Sequence, residues 1–296
     1  MNLIKTLKFI TEHPLNSNRK FRAVLRYLNW QIKSRFTSKP IVVEFVNDSK
    51  LLVKTGMTGA TGNVYTGLHE FQDMSFVLHG LNQEDIFIDI GANIGAYTIL
   101  AAAVVGANCL SFEPIPLTFE WFQKNIELNN ICKKVKAKNI GIGSKEGELF
   151  FSKKLDTVNH VIYPNENNVE SIKVPVKVLD NINISSQNMI VKIDVEGFET
   201  EVIKGGEKII KSDNCYAVIM ELNGCGEKYG FDEDLLHRKM LNFGFFTFRY
   251  QPFEHKLISL NGARNNSGNT LYIKHLELFQ KRLASAKKFY VNGQYV

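Results

Sequence analysis

Three groups of residues have the types and spacing that chemistry needs. In FIDIGANIGAYTI, residues 87–99, an apolar run leads into Asp89, Gly91, Asn93 and Gly95 and then into what reads as a helix. A strand–turn–helix of this kind sets an acid and backbone N–H groups at the crevice where open parallel sheets bind ligands. Gly91 allows a tight turn, and Gly95 lets the helix pack close to the sheet or lets a ligand approach the backbone. Glu113 ends the next apolar run, NCLSFEP, 24 residues after Asp89. An acid there can accept both hydrogen bonds from an adenosine ribose. The second group is VKIDVEG, where Lys192, Asp194 and Glu196 alternate and, on extended chain, point to one side. Glu196 is the candidate acceptor of a proton from an alcohol nucleophile or a metal-assisting carboxylate. Asp194 is assigned to the cofactor or the acceptor, and Lys192 tunes both. A structural ion pair under the sheet's rim explains Lys192 and Glu196 equally well. The third group is His69 with Glu70, which could close over the site, His69 taking a proton near neutral pH. A surface or loop histidine is the plainer alternative, and His160, in a polar loop, is a weaker candidate still. Tyr97 and Thr98 could touch cofactor or simply pack their helix.

The cofactor follows from the turn. A dinucleotide's pyrophosphate needs an uncluttered, glycine-lined helix N-terminus, whereas Asn93 occupies the middle position here. S-adenosylmethionine carries no phosphate and presents an ammonium that suits Asp89, so the turn favours it over NAD. The metal requirement stays open: Asp194, Glu196 and Glu221 could converge, but no histidine completes a triad.

These groups need a scaffold, and the chain supplies an alternation. DIFIDI, NCLSFEP, KKVKAKNI, MIVKIDVEG and CYAVIMELN read as strands, with AYTILAAAVVGA, LTFEWFQKNIELNN, FETEVIKGGEKII and DEDLLHRKMLNF as helices among them. That pattern predicts a parallel sheet with right-handed crossovers. GELFFS and SIKVPVKV are strands of a detour, and GFFTFRY and NTLYIK close the sheet. Ahead of the alternation, PIVVEFVNDSKLLVKTG reads as a hairpin turning at Asn47-Asp48, GMTGATGNVYTG as a loop, and HEFQDMSFVLHGL as a helix with Phe71, Met74, Val77 and Leu78 inward.

The 296 residues are 44% apolar and 22% charged, the composition of a soluble globule with a sizeable core. Nine Lys/Arg against Glu12 fall in residues 1–40, so the remainder is slightly acidic although the whole carries +6. A near-neutral body argues against nucleic acid as partner. In the basic arm, Phe21, Val24, Leu25, Leu28 and Ile32 share one helical face, with Arg22, Arg26, Asn29 and Lys33 opposite. This predicts a helix docked by its apolar face on the body, with peripheral contact to an anionic membrane as the second use of the same pattern. Cys109, Cys132, Cys215 and Cys225 form no CxxC pair, and the first residues lack the unbroken apolar stretch and small-residue cleavage site of a secretory signal. A reduced, cytoplasmic protein is expected.

Taken together, YTGLHEFQDMSFVLHGL, FIDIGANIGAYTILAA, FEPIPLTFEWFQKNIELNN, VKIDVEGFETEVIKGG and IMELN resemble, in order, the FkbM family of S-adenosylmethionine-dependent methyltransferases. DxGANxG joined to KxDxEGxE is far more specific than either motif alone. The resemblance spans Tyr65 to Asn223, roughly half the chain. It implies an α/β class I methyltransferase fold: a Rossmann-like, seven-stranded, mostly parallel sheet with its last strand antiparallel and helices on both faces. The expected organisation is a helical extension over 1–40 and one domain over 41–296. The resemblance also implies O-methylation of a hydroxyl, on a glycan, sugar or related polyhydroxylated metabolite. An RNA or other small-molecule methyltransferase, a nicotinamide oxidoreductase and a non-catalytic membrane-docking protein are the alternatives. The acceptor's identity and the oligomeric state are open.

Overall fold

The computed structural model describes residues 3–37, 39–54, 56–152, 160–163, 166, 170–266 and 268–296. Its centre is a sheet built from β3 (Ile86–Ile90), β4 (Asn108–Phe112), β5 (Val135–Lys138), β9 (Met189–Ile193), β10 (Cys215–Glu221), β11 (Phe246–Gln251), β12 (Lys256–Ser259) and β13 (Asn269–Ile273). The spatial order is β12-β11-β13-β10-β9-β3-β4-β5. β10, β9, β3, β4 and β5 are parallel neighbours, and β13 runs antiparallel to both β10 and β11. Strand order therefore reverses beside β3, with β4 on one side and β9 on the other, and the crevice above that reversal is where such sheets hold ligands.

The sheet has eight strands where seven were expected. The seven expected strands are present, with the last, β13, antiparallel; the addition is the edge strand β12, paired antiparallel to β11. Its four residues, KLIS, carry two apolar side chains and directly follow a short turn at Pro252–Glu254, too little pattern to register as a strand.

Strand parity divides the core. Ile86, Ile88 and Ile90 of β3 and Met189, Val191 and Ile193 of β9 pack on one face against Val202, Ile203, Leu236 and Met240. These come from α7 (Glu199–Gly205) and α9 (Glu233–Asn242). Phe87, Ile190, Ala217, Ile219, Leu271 and Ile273 pack on the other face against α4 (Phe71–Gly80), α6 (Pro116–Leu128) and α10 (Leu276–Ala284). On that second face the apolar stripe gives way, at one edge of the sheet, to Asp89, Lys192, Glu221 and Asn269. Asn269 begins β13, but because that strand is antiparallel its start lies at the same edge as the other strands' ends.

Elsewhere β1 (Ile41–Glu44) and β2 (Lys50–Val53) form the expected hairpin, with Asn47 left-handed in its turn. β6 (Gly141–Ile142), β7 (Gly147–Ser152) and β8 (Ser171–Lys177) form a separate three-stranded sheet. The polar loop NHVIYPNENN that follows β7 lies partly outside the described residues. All four cysteines are free thiols.

Two further expectations are corrected. The Gly/Thr-rich stretch read as a loop holds α3 (Thr58–Thr66). Helix propensity there is poor, but tertiary bonds compensate: Tyr65 O accepts from Asn16 Nδ2 and Arg26 Nε, and Tyr65 Oη accepts from Gln31 Nε2. In the arm, α1 (Leu3–Glu12) and α2 (Lys20–Phe36) are helical, but α2 docks through Ala23, Tyr27, Trp30 and Ser34, the face opposite to the predicted one. Tyr27 and Trp30 bring large rings with polar tips to the body, and Arg26 reaches across to donate from Nε to Tyr65 O.

Candidate active site

The turn after β3 is built by backbone contacts. Gly91 has φ +85° and lies so close to the end of β9 that any Cβ would collide with the carbonyl oxygen of Asp194. Only glycine meets both demands. The Gly91 and Ala92 N–H groups donate to Phe112 O, stitching the turn to β4. Asn93 is left-handed at φ +52°, a conformation that asparagine tolerates. That geometry turns the Asn93 N–H toward Glu113, whose Oε2 accepts from it at 2.9 Å while Oε1 accepts from Ile115 N–H at 2.9 Å. Gly95 opens α5 (Ala96–Ile99), which runs on as a π-helical turn over Leu100–Val105. A side chain at Gly95 would strike the Phe122 ring, so this glycine serves helix packing and lies outside the cleft lining.

Two adjoining cavities occupy the strand-end crevice. One of about 80 Å³ is lined by Glu113, Ile115, Thr118, Phe151, Asp194 and Glu196. The other, of about 320 Å³, is lined chiefly by Asn63, His69, Glu70, Asp89, Tyr97, Lys192, Asp194, Glu196 and Glu221. Gly91, Asn93, Asp194 and Glu196 border both. The structure thus brings together on one cleft Asp89, Gly91, Asn93, Glu113, Lys192, Asp194, Glu196 and His69. His160 lines neither cavity: its Nε2 is 3.0 Å from Glu166 and its ring stacks on Tyr163, although it is near enough to act electrostatically on Glu196.

Asp89 is fully enclosed. Its Oδ2 accepts from Thr98 Oγ1 at 2.7 Å, which gives Thr98 a definite task, while Oδ1 is buried without a partner. An orphaned carboxylate oxygen at a cleft wall has capacity for one cationic donor. Burial raises the Asp89 carboxyl to about 6, against the opposing pull of Lys192. Burial likewise raises Glu113 to about 7, opposed by its two backbone donors.

Lys192 lies across from Asp89 in the β3–β9 register, with Nζ 2.7 Å from Asp194 Oδ2 and 4.7 Å from the centre of the Tyr97 ring. Burial alone would depress its ammonium, but Asp194, Glu70 and Asp89 outweigh burial and hold it above its ordinary value. It stays charged. Glu196 follows the strand in a left-handed conformation, φ +54°, and its carboxyl is raised to about 7 by burial and then by Asp194 and Glu221. A non-glycine residue held there stores strain of ~1–3 kcal/mol. The clamp is Glu199, whose Oε1 accepts from the N–H groups of both Val195 and Gly197 at 3.2 Å. Burial holds the His69 imidazole below its ordinary value, against the pull of Glu70, so it is a neutral acceptor near pH 7.

Sequence reasoning overlooked two contributors, Asn269 and Asp73, and gave no role to a third, the last residue of the KxDxEGxE motif. Asn269 Nδ2 donates to Glu70 Oε1 at 3.2 Å and to Asp73 Oδ2 at 3.0 Å, tying α4 to β13 behind the cleft. Asp73, enclosed there, is raised to about 7 by burial and by Glu70. Glu199 is the third. Parity held the signal for Asn269: in NTLYI it occupies the face of Leu271 and Ile273, where a core strand should be apolar. Among the described residues no three His, Cys, Asp or Glu side chains converge to hold a metal ion.

The family of the methyltransferase FkbM domain matches residues 89–246, more than half of the chain. Methyltransferase 1 of Beauveria bassiana is 28% identical over 161 residues, 46% of this chain and 64% of its own. Hexuronic acid methyltransferase AglP of Haloferax volcanii is 28% identical over 149 residues, 50% of this chain and 59% of its own. The chain thus spans about six-tenths of the length of these relatives. Among solved structures, an rRNA methylase from Streptococcus thermophilus aligns at 15% identity over 68% of this chain and 91% of its own, with a TM-score of 0.36.

Proposed function

Since the chain belongs to the FkbM methyltransferase family, we propose that it transfers the methyl group of S-adenosylmethionine to a hydroxyl of a sugar, glycan or related polyhydroxylated molecule. The observation that carries the reading is the pairing of an orphaned Asp89 Oδ1 with a two-point Glu113 along one cleft. Asp89 has an oxygen to spare for the cofactor's ammonium. Glu113 keeps one lone pair on each oxygen for the ribose hydroxyls, and Ile115 and Phe151 offer the apolar walls an adenine ring needs. The residues present therefore fit the cofactor, which when bound supplies an electrophilic methyl on a sulfonium.

The chain's own work is at the acceptor. Glu196, near 7, takes the hydroxyl proton as the oxygen becomes bonded to carbon, the pKa at which a general base works well at neutral pH. His69 and Glu70 border the same space and accept hydrogen bonds that orient further hydroxyls. Lys192 is occupied by Asp194 and serves to hold that carboxylate in place. Apart from Lys192, the charged groups lining the larger cavity are the carboxyls of Glu70, Asp89, Asp194, Glu196 and Glu221. So acidic a wall favours a neutral acceptor over a phosphate-bearing one, which weighs against RNA. An open depression of about 620 Å³ lined by Asn223, Glu227, Arg264 and Asn265 starts one residue beyond Glu221, which supports an acceptor longer than the reacting unit.

Isothermal titration with S-adenosylhomocysteine tests the reading. Saturable, one-site binding is expected, with no heat from NADH. Folded protein that ignores S-adenosylhomocysteine and binds NADH would replace the methyltransferase with a nicotinamide oxidoreductase.

A further inference from the structure

The proposed transfer makes no use of the outer face of α2. Phe21, Leu25, Leu28, Ile32 and Phe36 recur every three or four residues, so they form one narrow stripe along the helix. They stand 42–87% exposed, on the side away from the docked Ala23, Tyr27, Trp30 and Ser34. A helix turning a continuous apolar stripe to water on a folded surface marks an interaction site. Lys20, Arg22, Lys33 and Arg35 are exposed along its flanks, and α1 beside it exposes Leu3, Ile4, Lys5 and Lys8. The arm's one acid, Glu12, is exposed and 3.9 Å from Lys8.

We infer that the α1–α2 arm is a docking surface for an anionic lipid bilayer. An apolar stripe between basic flanks is what an interfacial helix needs: the stripe enters the acyl boundary while lysines and arginines meet the headgroups. A second copy of the chain would match the stripe but would set basic flank against basic flank, which is repulsive. RNA would match the charge but has no use for five aligned apolar side chains. The attachment is peripheral, since among the described residues no helix is long and apolar enough to cross a membrane.

The helix is also presented ready-made. Arg26 Nη2 donates to Asn16 Oδ1, Arg26 Nε to Tyr65 O, and the Tyr27 and Tyr65 rings meet edge to face at 5.2 Å. α2 is therefore ordered before it meets lipid, and the entropy of folding at the surface is not incurred. Tyr65 belongs to α3, whose Ala60 and Asn63 line the acceptor cavity, so docking through α2 holds that cavity within one helix of the bilayer-facing element.

Vesicle flotation tests this on the full chain. Vesicles of phosphatidylcholine with an equal part of phosphatidylglycerol should carry the protein upward, at least about tenfold more strongly than phosphatidylcholine alone. Leu28→Asp with Ile32→Asp should abolish flotation. Lys33→Glu with Arg35→Glu should weaken it by about tenfold or more. Both pairs should leave the melting temperature unchanged, because all four side chains are exposed. Wild-type protein that stays at the bottom with anionic vesicles, or floats equally with neutral ones, overturns the proposal. So does a dimer in light scattering that Leu28→Asp with Ile32→Asp dissolves while vesicles bind nothing.

Discussion

The two ends of the cleft are constructed differently. At the Glu113 end, the acids are fixed by their own segment: Asp89 by Thr98 nine residues on, and Glu113 by the N–H groups of Asn93 and Ile115. The two acids and the groups that fix them all lie between residues 89 and 115, and only walls such as Phe151 come from further along the chain. At the Glu196 end, the wall is collected from α3, α4, the chain after β9, the end of β10 and, behind Glu70, the start of β13. One end is a local motif and the other a tertiary assembly. A conserved ligand can be served by a fixed local device, whereas an acceptor site gathered from separate loops can be remodelled one element at a time. Gly91 is the seam, because its missing side chain lets the two ends touch.

This contrast is most strongly tested at Glu196. Glu196→Gln keeps the shape and removes the proton acceptor, so turnover should fall ~10²–10⁴-fold. Affinity for S-adenosylhomocysteine should stay within about threefold. Transfer of labelled methyl to a panel of sugars gives the first number and calorimetry the second. In the wild-type protein, kcat/KM for the acceptor should climb with pH through about 7, as Glu196 loses its proton, and then level off. A matching loss in cofactor affinity would merge the two ends into one.

Glu113→Ala is the mirror experiment. It removes a charged acceptor from two hydroxyls, each such bond being worth ~1.5–3 kcal/mol. S-adenosylhomocysteine should bind ~10–100-fold more weakly, with turnover at saturating cofactor altered far less. Unchanged binding would make Glu113 only a clamp for the Asn93 turn and remove the contrast at its source.

The same difference decides what the sequence could reveal. Asp89, Gly91, Asn93 and Glu113 sit on two consecutive strands and one turn, so their spacing along the chain is nearly their spacing in space. Lys192, Asp194 and Glu196 were legible for a similar reason, although the chain leaves the extended form after Ile193 and Glu196 reaches the cleft by a left-handed turn instead. Asn269 and Asp73 meet across 196 residues, and no local pattern announces such a meeting. The α3 helix was hidden because glycine and threonine argue against helix, and its compensation comes from elements far away. The face of α2 was misassigned by a sound rule, that apolar stripes go inward. The rule fails where Tyr27 and Trp30 can dock as well and the stripe is left for something else.

The smallest effect separates the two ends through stability. Burial raises Asp89 to about 6, Glu113 and Asp73 to about 7 and Glu199 to about 8, from ordinary values of 3.8 for aspartate and 4.5 for glutamate. A carboxyl raised on folding binds protons more tightly in the native state, so its stabilising contribution is complete below the unfolded value and is lost as pH rises through the folded one. Over this window the ligand-free protein should therefore melt highest at about pH 4 and lose stability from there toward pH 8. Glu199→Gln keeps an oxygen for the Val195 and Gly197 N–H groups yet never ionises, so it should remove the upper part of that decline, ~2–4 °C. S-adenosylhomocysteine should act below that: an ammonium beside Asp89 and hydroxyls on Glu113 favour their ionised forms, making the decline between about 4 and 7 shallower while the shares set by Asp73 and Glu199 persist. Melting curves across this range, with and without ligand, read both shifts. A single slope that the ligand flattens throughout would mean that the carboxyls titrate as one network, and that the two ends of the cleft, although built separately, are electrostatically one site.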